Sequence, residues 1–153
     1  MRTVDRYIAE FERLLEEVSR DDRAADVGDR RVSGRLDVRT AREAKRDEIL
    51  SVHEEAYVDA FKAKSDAGGG EVGQQAPFGP GSFEIAALSA GLAIEAVDGV
   101  LRGDFANAYA LTRPPGHHCL RGQAMGFCLL SNIAIAVEAA IACRGLKRVA
   151  VVD

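Results

Sequence analysis

The chain has 153 residues, the size of one ordinary domain, and its 47% hydrophobic and 29% charged composition marks it as globular and not disordered. A formal net charge of -4 supplies no general pull toward nucleic acid or an anionic membrane surface. Three cysteines, Cys119, Cys128 and Cys143, form no C-x-x-C pair and are odd in number; they do not read as a disulfide framework and point to a reducing cytoplasm.

The N-terminus carries Asp5, Glu10 and Glu12 where a secretory signal would have an uninterrupted apolar core. Val4, Ile8, Phe11, Leu15 and Val18 recur at three- and four-residue spacing, which predicts a helix with one apolar face. Arg20 to Arg39 reads as a charged, irregular, solvated stretch. Thr40-Ala-Arg-Glu43 has the spacing of a capping box and predicts a helix from there through Ile49 and Leu50. A further helix is expected to carry Tyr57, Val58 and Phe61.

Residues 67 to 82 form a glycine- and proline-rich loop. It has no Gly-Lys-Ser/Thr ending and no preceding strand, so it is not a phosphate-binding P-loop, and a plain surface loop is the favoured reading. Ser82 can cap the next helix, which runs to about Leu101 and stops at Gly103. Ile85, Leu88, Leu92, Ile94, Val97 and Val100 make that helix apolar nearly all round, so it is expected to be largely buried.

The last fifty residues change rhythm. Ala108 to Thr112 is a strand candidate. A helix follows with Leu130, Ile133, Ala134, Val137 and Ile141 on one face and Gly145 as its stop. Val149 to Val152 is a second strand candidate. Strand, crossover helix and strand predict a parallel sheet in an α/β protein. The most apolar run, Leu129 to Cys143, contains Asn132 and Glu138 and is shorter than the ~20 apolar residues a membrane span needs. Asp153 is the last residue and follows directly on an apolar strand. A parallel sheet needs more strands and helices on both faces, so the chain is expected to be the N-terminal part of a longer protein.

Chemistry concentrates in Leu111-Thr-Arg-Pro-Pro-Gly-His-His-Cys119. Two of the three histidines, His117 and His118, stand side by side after a stiff Pro-Pro-Gly; the third is His53. Imidazole has an ordinary pKa of roughly 6.5, which suits proton transfer near neutral pH. Ligands of open α/β sheets bind beyond the carboxyl ends of the strands. His117 and His118 leave the first late strand and Asp153 ends the second, so the carboxylate is expected to approach the histidine pair and fix one ring's tautomer. Gly126 lets backbone approach a ligand closely. Phe127 is either a wall of an apolar channel or a core aromatic. Cys119 raises a thiol-nucleophile reading, set against the commoner buried structural cysteine.

Arg113-Pro-Pro-Gly-His-His118, Met125-Gly-Phe-Cys-Leu-Leu-Ser-Asn-Ile-Ala-Ile-Ala136 and Val149-Ala-Val-Val-Asp153 together resemble the zinc-dependent histone deacetylase family of the arginase/deacetylase superfamily. The nearest branch is the class II-like bacterial one, beside acetylpolyamine amidohydrolases and acetoin-utilization-type deacetylases. A looser likeness reaches upstream through Pro77 to Ser82 and Ile49 to Tyr57, and residues 1 to 40 match poorly as a helical, charged segment. The resemblance implies that residues 1 to 153 are the N-terminal part of a single deacetylase domain. It implies a partial three-layer α/β fold, a truncated parallel sheet flanked by helices. It also implies a zinc-dependent hydrolase that removes acetyl groups from lysine or polyamine-type N-acetyl amines. His118 matches the family's general base, His117 its electrostatic partner, and Asp153 the carboxylate that holds His117 and contributes to a monovalent-cation site. Gly126 matches the residue whose carbonyl meets the substrate amide, and Phe127 one wall of the acyl-lysine tunnel.

In the family the metal ligands follow the position of Asp153, and a catalytic zinc needs about three protein ligands. No metal ligand is therefore assigned in this chain, and the isolated chain is expected to bind no catalytic zinc and to be inactive. The alternative is a non-catalytic relic or interaction module that retains the front half of the fold. No direct nucleic-acid or membrane partner is expected; oligomerisation is left open.

Overall fold

The computed structural model describes Asp37 and residues 39–153, and all that follows concerns the unit Thr40–Asp153. The apolar face expected over Val4 to Val18 lies outside the described residues, as does nearly all of the charged stretch after it.

The first helix, α1 (Arg46–Leu50), starts later than the Thr40 capping signal predicts. Glu48 instead reaches back to the Lys45 N–H at 2.7 Å. Tertiary contact overrides the local signal. The Ala44 N–H donates to the Ala87 carbonyl at 2.8 Å, and residues 42–44 lie so close to the next long helix that a Cβ on Gly91 would collide with the Arg42 carbonyl. Helix α2 (Glu55–Asp66) buries Tyr57, Val58, Phe61 and Ser65, the helical face expected from their spacing. Phe61 is fully buried and meets Phe78 edge-on at 4.9 Å between ring centroids.

The glycine-rich loop holds three two-residue strands. β1 (Gly70–Glu71) pairs antiparallel with β3 (Pro77–Phe78), and β2 (Gly73–Gln74) pairs parallel with β4 (Ala124–Met125). Gly73 is required at that crossing, because a Cβ there would strike the Ala124 backbone. The loop is therefore a docked element and not a plain surface excursion.

Helix α3 (Ser82–Arg102) ends at Gly103, as expected, but its N-cap is Gly81 and not Ser82. Its burial also differs from the expectation. The buried residues are mostly small ones, Ala86, Ala87, Ser89, Ala90, Gly91, Ile94 and Gly99, while Ile85 is 55% exposed. Small side chains let neighbouring backbone come close, so they, together with Ile94, face the interior, while Ile85, Leu88 and Val100 are exposed. Helix α4 (Asn132–Arg144) packs on α3 and ends at Gly145, whose φ of 66° suits glycine. Its buried face is Asn132, Ile135, Ala136 and Ala140. Of the expected face, Leu130 is fully buried just before the helix, but Ala134 and Val137 are only half-buried and Ile133 and Ile141 are exposed.

Residues 108–112 and 149–152 form no strand, which corrects both strand assignments. Apolar, β-branched sequence supplies propensity, but a strand exists only where its N–H and C=O groups find a ladder partner. Among the described residues no helix is long and apolar enough to cross a membrane.

Candidate active site

The Pro-Pro-Gly-His-His loop is held from several sides. Ser89 Oγ donates to the Pro114 carbonyl at 2.9 Å, and Asn132 Nδ2 donates to Ser89 Oγ at 2.8 Å and to Pro114 at 3.3 Å. The Ile133 N–H donates to the Gly116 carbonyl at 3.2 Å. The His118 N–H donates to Cys128 Sγ at 3.4 Å. His117 and His118 then present their rings side by side, 3.9 Å apart between centroids and tilted by 42°.

Asp153 does approach the pair. Its Oδ1 lies 3.1 Å from His117 Nδ1, although the two chain segments are not laddered as a sheet. An ionised carboxylate can only accept, so the His117 Nδ1–H donates and Nε2 is left as the basic nitrogen. Gly126, at φ 56°, lies against His118: a Cβ there would stand 2.7 Å from His118 Cδ2. Phe127 is 58% exposed and so is not a core aromatic. It sits at φ 63°, a left-handed conformation costly for a β-substituted residue, and is fixed there by its N–H donating to the Gln75 carbonyl at 2.9 Å. The Gly126 N–H donates to Gln74 at 3.1 Å, so the glycine-rich loop seats both expected substrate-facing residues.

Beside His117 and Asp153 opens a cleft of about 590 Å³. Val52, Ile133, Val137 and Val151 give it apolar walls, with Arg121 and Glu138 at charged positions. The outward face of α4 is therefore a cleft wall.

Behind the loop, His53 is buried. The Ser131 N–H donates to its Nε2 at 2.9 Å, which makes Nδ1 the protonated nitrogen, donating to the Arg121 carbonyl at 3.0 Å. Burial holds its pKa below the ordinary imidazole value. Tyr57 donates to the Leu129 carbonyl at 2.6 Å, and Cys119 Sγ lies 3.7 Å from that hydroxyl. Burial pushes the Cys119 thiol up to about 11, so at neutral pH it is a thiol and not a nucleophilic thiolate. His53, Ser89 and the Gln74-Gln75 carbonyls were not singled out from the sequence. The available signal for the first two was a polar residue standing inside an apolar helical pattern or beside one.

The residues present do not fit a catalytic zinc. Among the described residues no group of three His, Cys, Asp or Glu side chains converges on a common point, and Asp153 is already engaged by His117.

The site thus brings together an imidazole pair and a carboxylate in contact with one of its rings, on a helix-and-strand frame. The histone deacetylase domain model matches residues 7–153, and the chain belongs to that family. It is 60% identical over 122 residues to the histone deacetylase-like amidohydrolase of Pseudomonas aeruginosa, an alignment covering 80% of this chain and 32% of that protein. It is 42% identical over 120 residues to the polyamine deacetylase HDAC10 of Homo sapiens, covering 74% of this chain and 18% of that one. Among solved structures, the HDA15 HD domain matches with a TM-score of 0.65 and 35% identity over 69% of this chain and 30% of that chain. The α/β deacetylase fold is thus shown, and the described residues carry two two-stranded sheets of it. The chain spans about a third or less of the length of these curated relatives.

Proposed function

We propose that this chain contributes the proton-handling and substrate-wall half of a deacetylase site, the N-terminal part of one catalytic domain, acting on N-acetylated lysine or polyamine-type amines. The observation that carries this reading is the His117 Nδ1–Asp153 contact at 3.1 Å, with the His118 ring packed beside it. Asp153 fixes the tautomer of His117 and balances positive charge on the pair. His118 takes a proton from the water that attacks the acetyl carbon, and the proton then goes to the leaving nitrogen. The C–N bond breaks, and acetate and the free amine result. A positioned base of this kind contributes on the order of 10²–10⁴-fold. Gly126 presents backbone to the substrate amide, and exposed Phe127 flanks the acyl chain. Zinc, and a monovalent cation near Asp153, belong to the reading only through family resemblance. The described residues supply no zinc site.

The experiment replaces the matching segment of the Pseudomonas aeruginosa relative with this chain's residues and measures release of acetate from acetyl-lysine and acetylputrescine. The chimera is expected to turn over and the isolated chain is not. His118→Ala in the chimera should lower kcat by about 10²–10⁴-fold with metal content unchanged. Unchanged turnover, or loss of metal in that variant, would overturn the assignment of His118.

A further inference from the structure

Where α3 meets α4 the contact is largely apolar, yet each helix places one polar side chain in it. Ser89 is 1% exposed and Asn132 5%. Burying a hydroxyl and a carboxamide is costly unless both are hydrogen-bonded. Here their donors converge on a single acceptor. Ser89 Oγ and Asn132 Nδ2 both donate to the Pro114 carbonyl, at 2.9 and 3.3 Å, and Asn132 Nδ2 also donates to Ser89 Oγ at 2.8 Å. That carbonyl lies three residues before His117. The next support is equally tight: a Cβ on Gly116 would collide with the Asn132 side chain, and the Gly116 carbonyl accepts from the Ile133 N–H at 3.2 Å. Backbone at 114, 116 and 118 is thus anchored inward, and the His117 ring is the group that reaches Asp153.

We infer that Ser89 and Asn132 are positioning residues. Acting through the Pro114 carbonyl, they set His117 where its Nδ1 meets Asp153 and so decide which ring nitrogen carries the proton. This rests on the reading of His117, His118 and Asp153 as a proton-transfer unit. Neither residue has a hydrogen bond to an imidazole; both act on the loop that carries one. A displacement near 1 Å suffices to break a contact of this kind, which operates only over about 2.6–3.2 Å. A buried, fully bonded polar cluster gives that rigidity, whereas an apolar pair would fill the space without gripping the loop.

The test uses the 153-residue chain labelled with ¹⁵N-histidine, followed across a pH series so that the tautomer is read where the ring nitrogen shifts no longer change with pH. Long-range ¹H–¹⁵N correlations through the carbon-bound ring protons report the tautomer of His117. In the wild-type chain the Nδ1–H form is expected to dominate. Ser89→Ala removes the bridging hydroxyl. Asn132→Asp keeps the shape but sets an acceptor against the Pro114 carbonyl. Each should move the tautomer ratio toward Nε2–H by about fivefold, the effect of losing one modest hydrogen bond. Should Asn132→Asp fail to fold, Ser89→Cys, of similar volume and with a weaker donor, is read the same way and should fall between wild type and Ser89→Ala. If the melting temperature falls but the folded variants keep the His117 Nδ1–H form, the two residues are only structural and the inference is overturned. If wild-type His117 shows no preference for Nδ1–H, and Asp153→Asn changes nothing, the underlying reading of the His117–Asp153 pair fails instead.

Discussion

The two partners of the His117–Asp153 contact are held in opposite ways. On the histidine side the backbone is gripped by buried groups: Ser89, Asn132 and the Ile133 N–H before the pair, Cys128 at it, and His53 and Tyr57 on the segment that follows. On the aspartate side, Val149, Val151 and Val152 are 41%, 54% and 97% exposed, and their segment forms no ladder. Within this stretch of chain, the difference shows that the precision of the histidine loop comes from interior packing. The imidazoles are placed by interior packing, and the carboxylate is brought to them by a single polar contact.

Substitutions can break or sharpen that contrast. The largest effect is expected from Leu130→Ala, because Leu130 is fully buried behind the loop. Truncation of a buried leucine costs about 2–5 kcal/mol, measured as a shift in urea unfolding of the chain. Gly116→Ala comes next. Its Cβ meets the Asn132 side chain, and overpacking of a tight contact costs ~1–3 kcal/mol. Because the clash falls at the loop's anchor, the His117 tautomer should change along with the melt. A neutral result in either variant would mean that the histidine loop is no better braced than the aspartate segment.

These anchors explain which parts of the molecule the sequence could disclose. Helix α2 was legible because Tyr57, Val58 and Phe61 stand on one face with polar residues opposite. The stops at Gly103 and Gly145 were legible because a left-handed C-cap suits glycine, and both have positive φ. The buried face of α4 was not, because the helix is apolar on both sides and periodicity cannot choose between them; Ile133 and Val137 line the cleft while Ile135 and Ala136 enter the core. Thr40 carries a sound local capping signal that loses to the Ala44–Ala87 backbone bond, a contact between residues 43 apart in sequence and invisible to local pattern. The proximity of Asp153 to His117 was expected from two neighbouring parallel strands; the contact is present although neither strand forms. The Ser89–Asn132 clamp required knowing that the two helices touch.

His53 offers a smaller effect that depends on pH. It is buried in its neutral form, accepting from Ser131 and donating to Arg121. Its folded pKa lies below the unfolded value of roughly 6.5, so over the window between them the unfolded chain binds the extra proton. Stability from this group is therefore fully present above about pH 6.5 and is lost as pH falls through that window. His53→Leu should remove this part of the slope. At a pH above the window it should cost ~1–3 kcal/mol for the Ser131 N–H left unpaired. Urea titrations of both chains across the window give the comparison. Equal slopes would mean that His53 is not held neutral.

The smallest effect is expected on the aspartate side. Val152 is 97% exposed, so its side chain removes almost no apolar surface from water. Val152→Ala should therefore stay within about 0.5 kcal/mol of wild type in urea unfolding. It should also leave the His117 tautomer unchanged, since the contact runs through the neighbouring carboxylate and not through packing of residue 152. A loss above about 1 kcal/mol would show that residues 149–152 are buried against something in solution. The carboxylate would then be braced by packing much as the imidazoles are, and the asymmetry between the two sides of the contact would disappear.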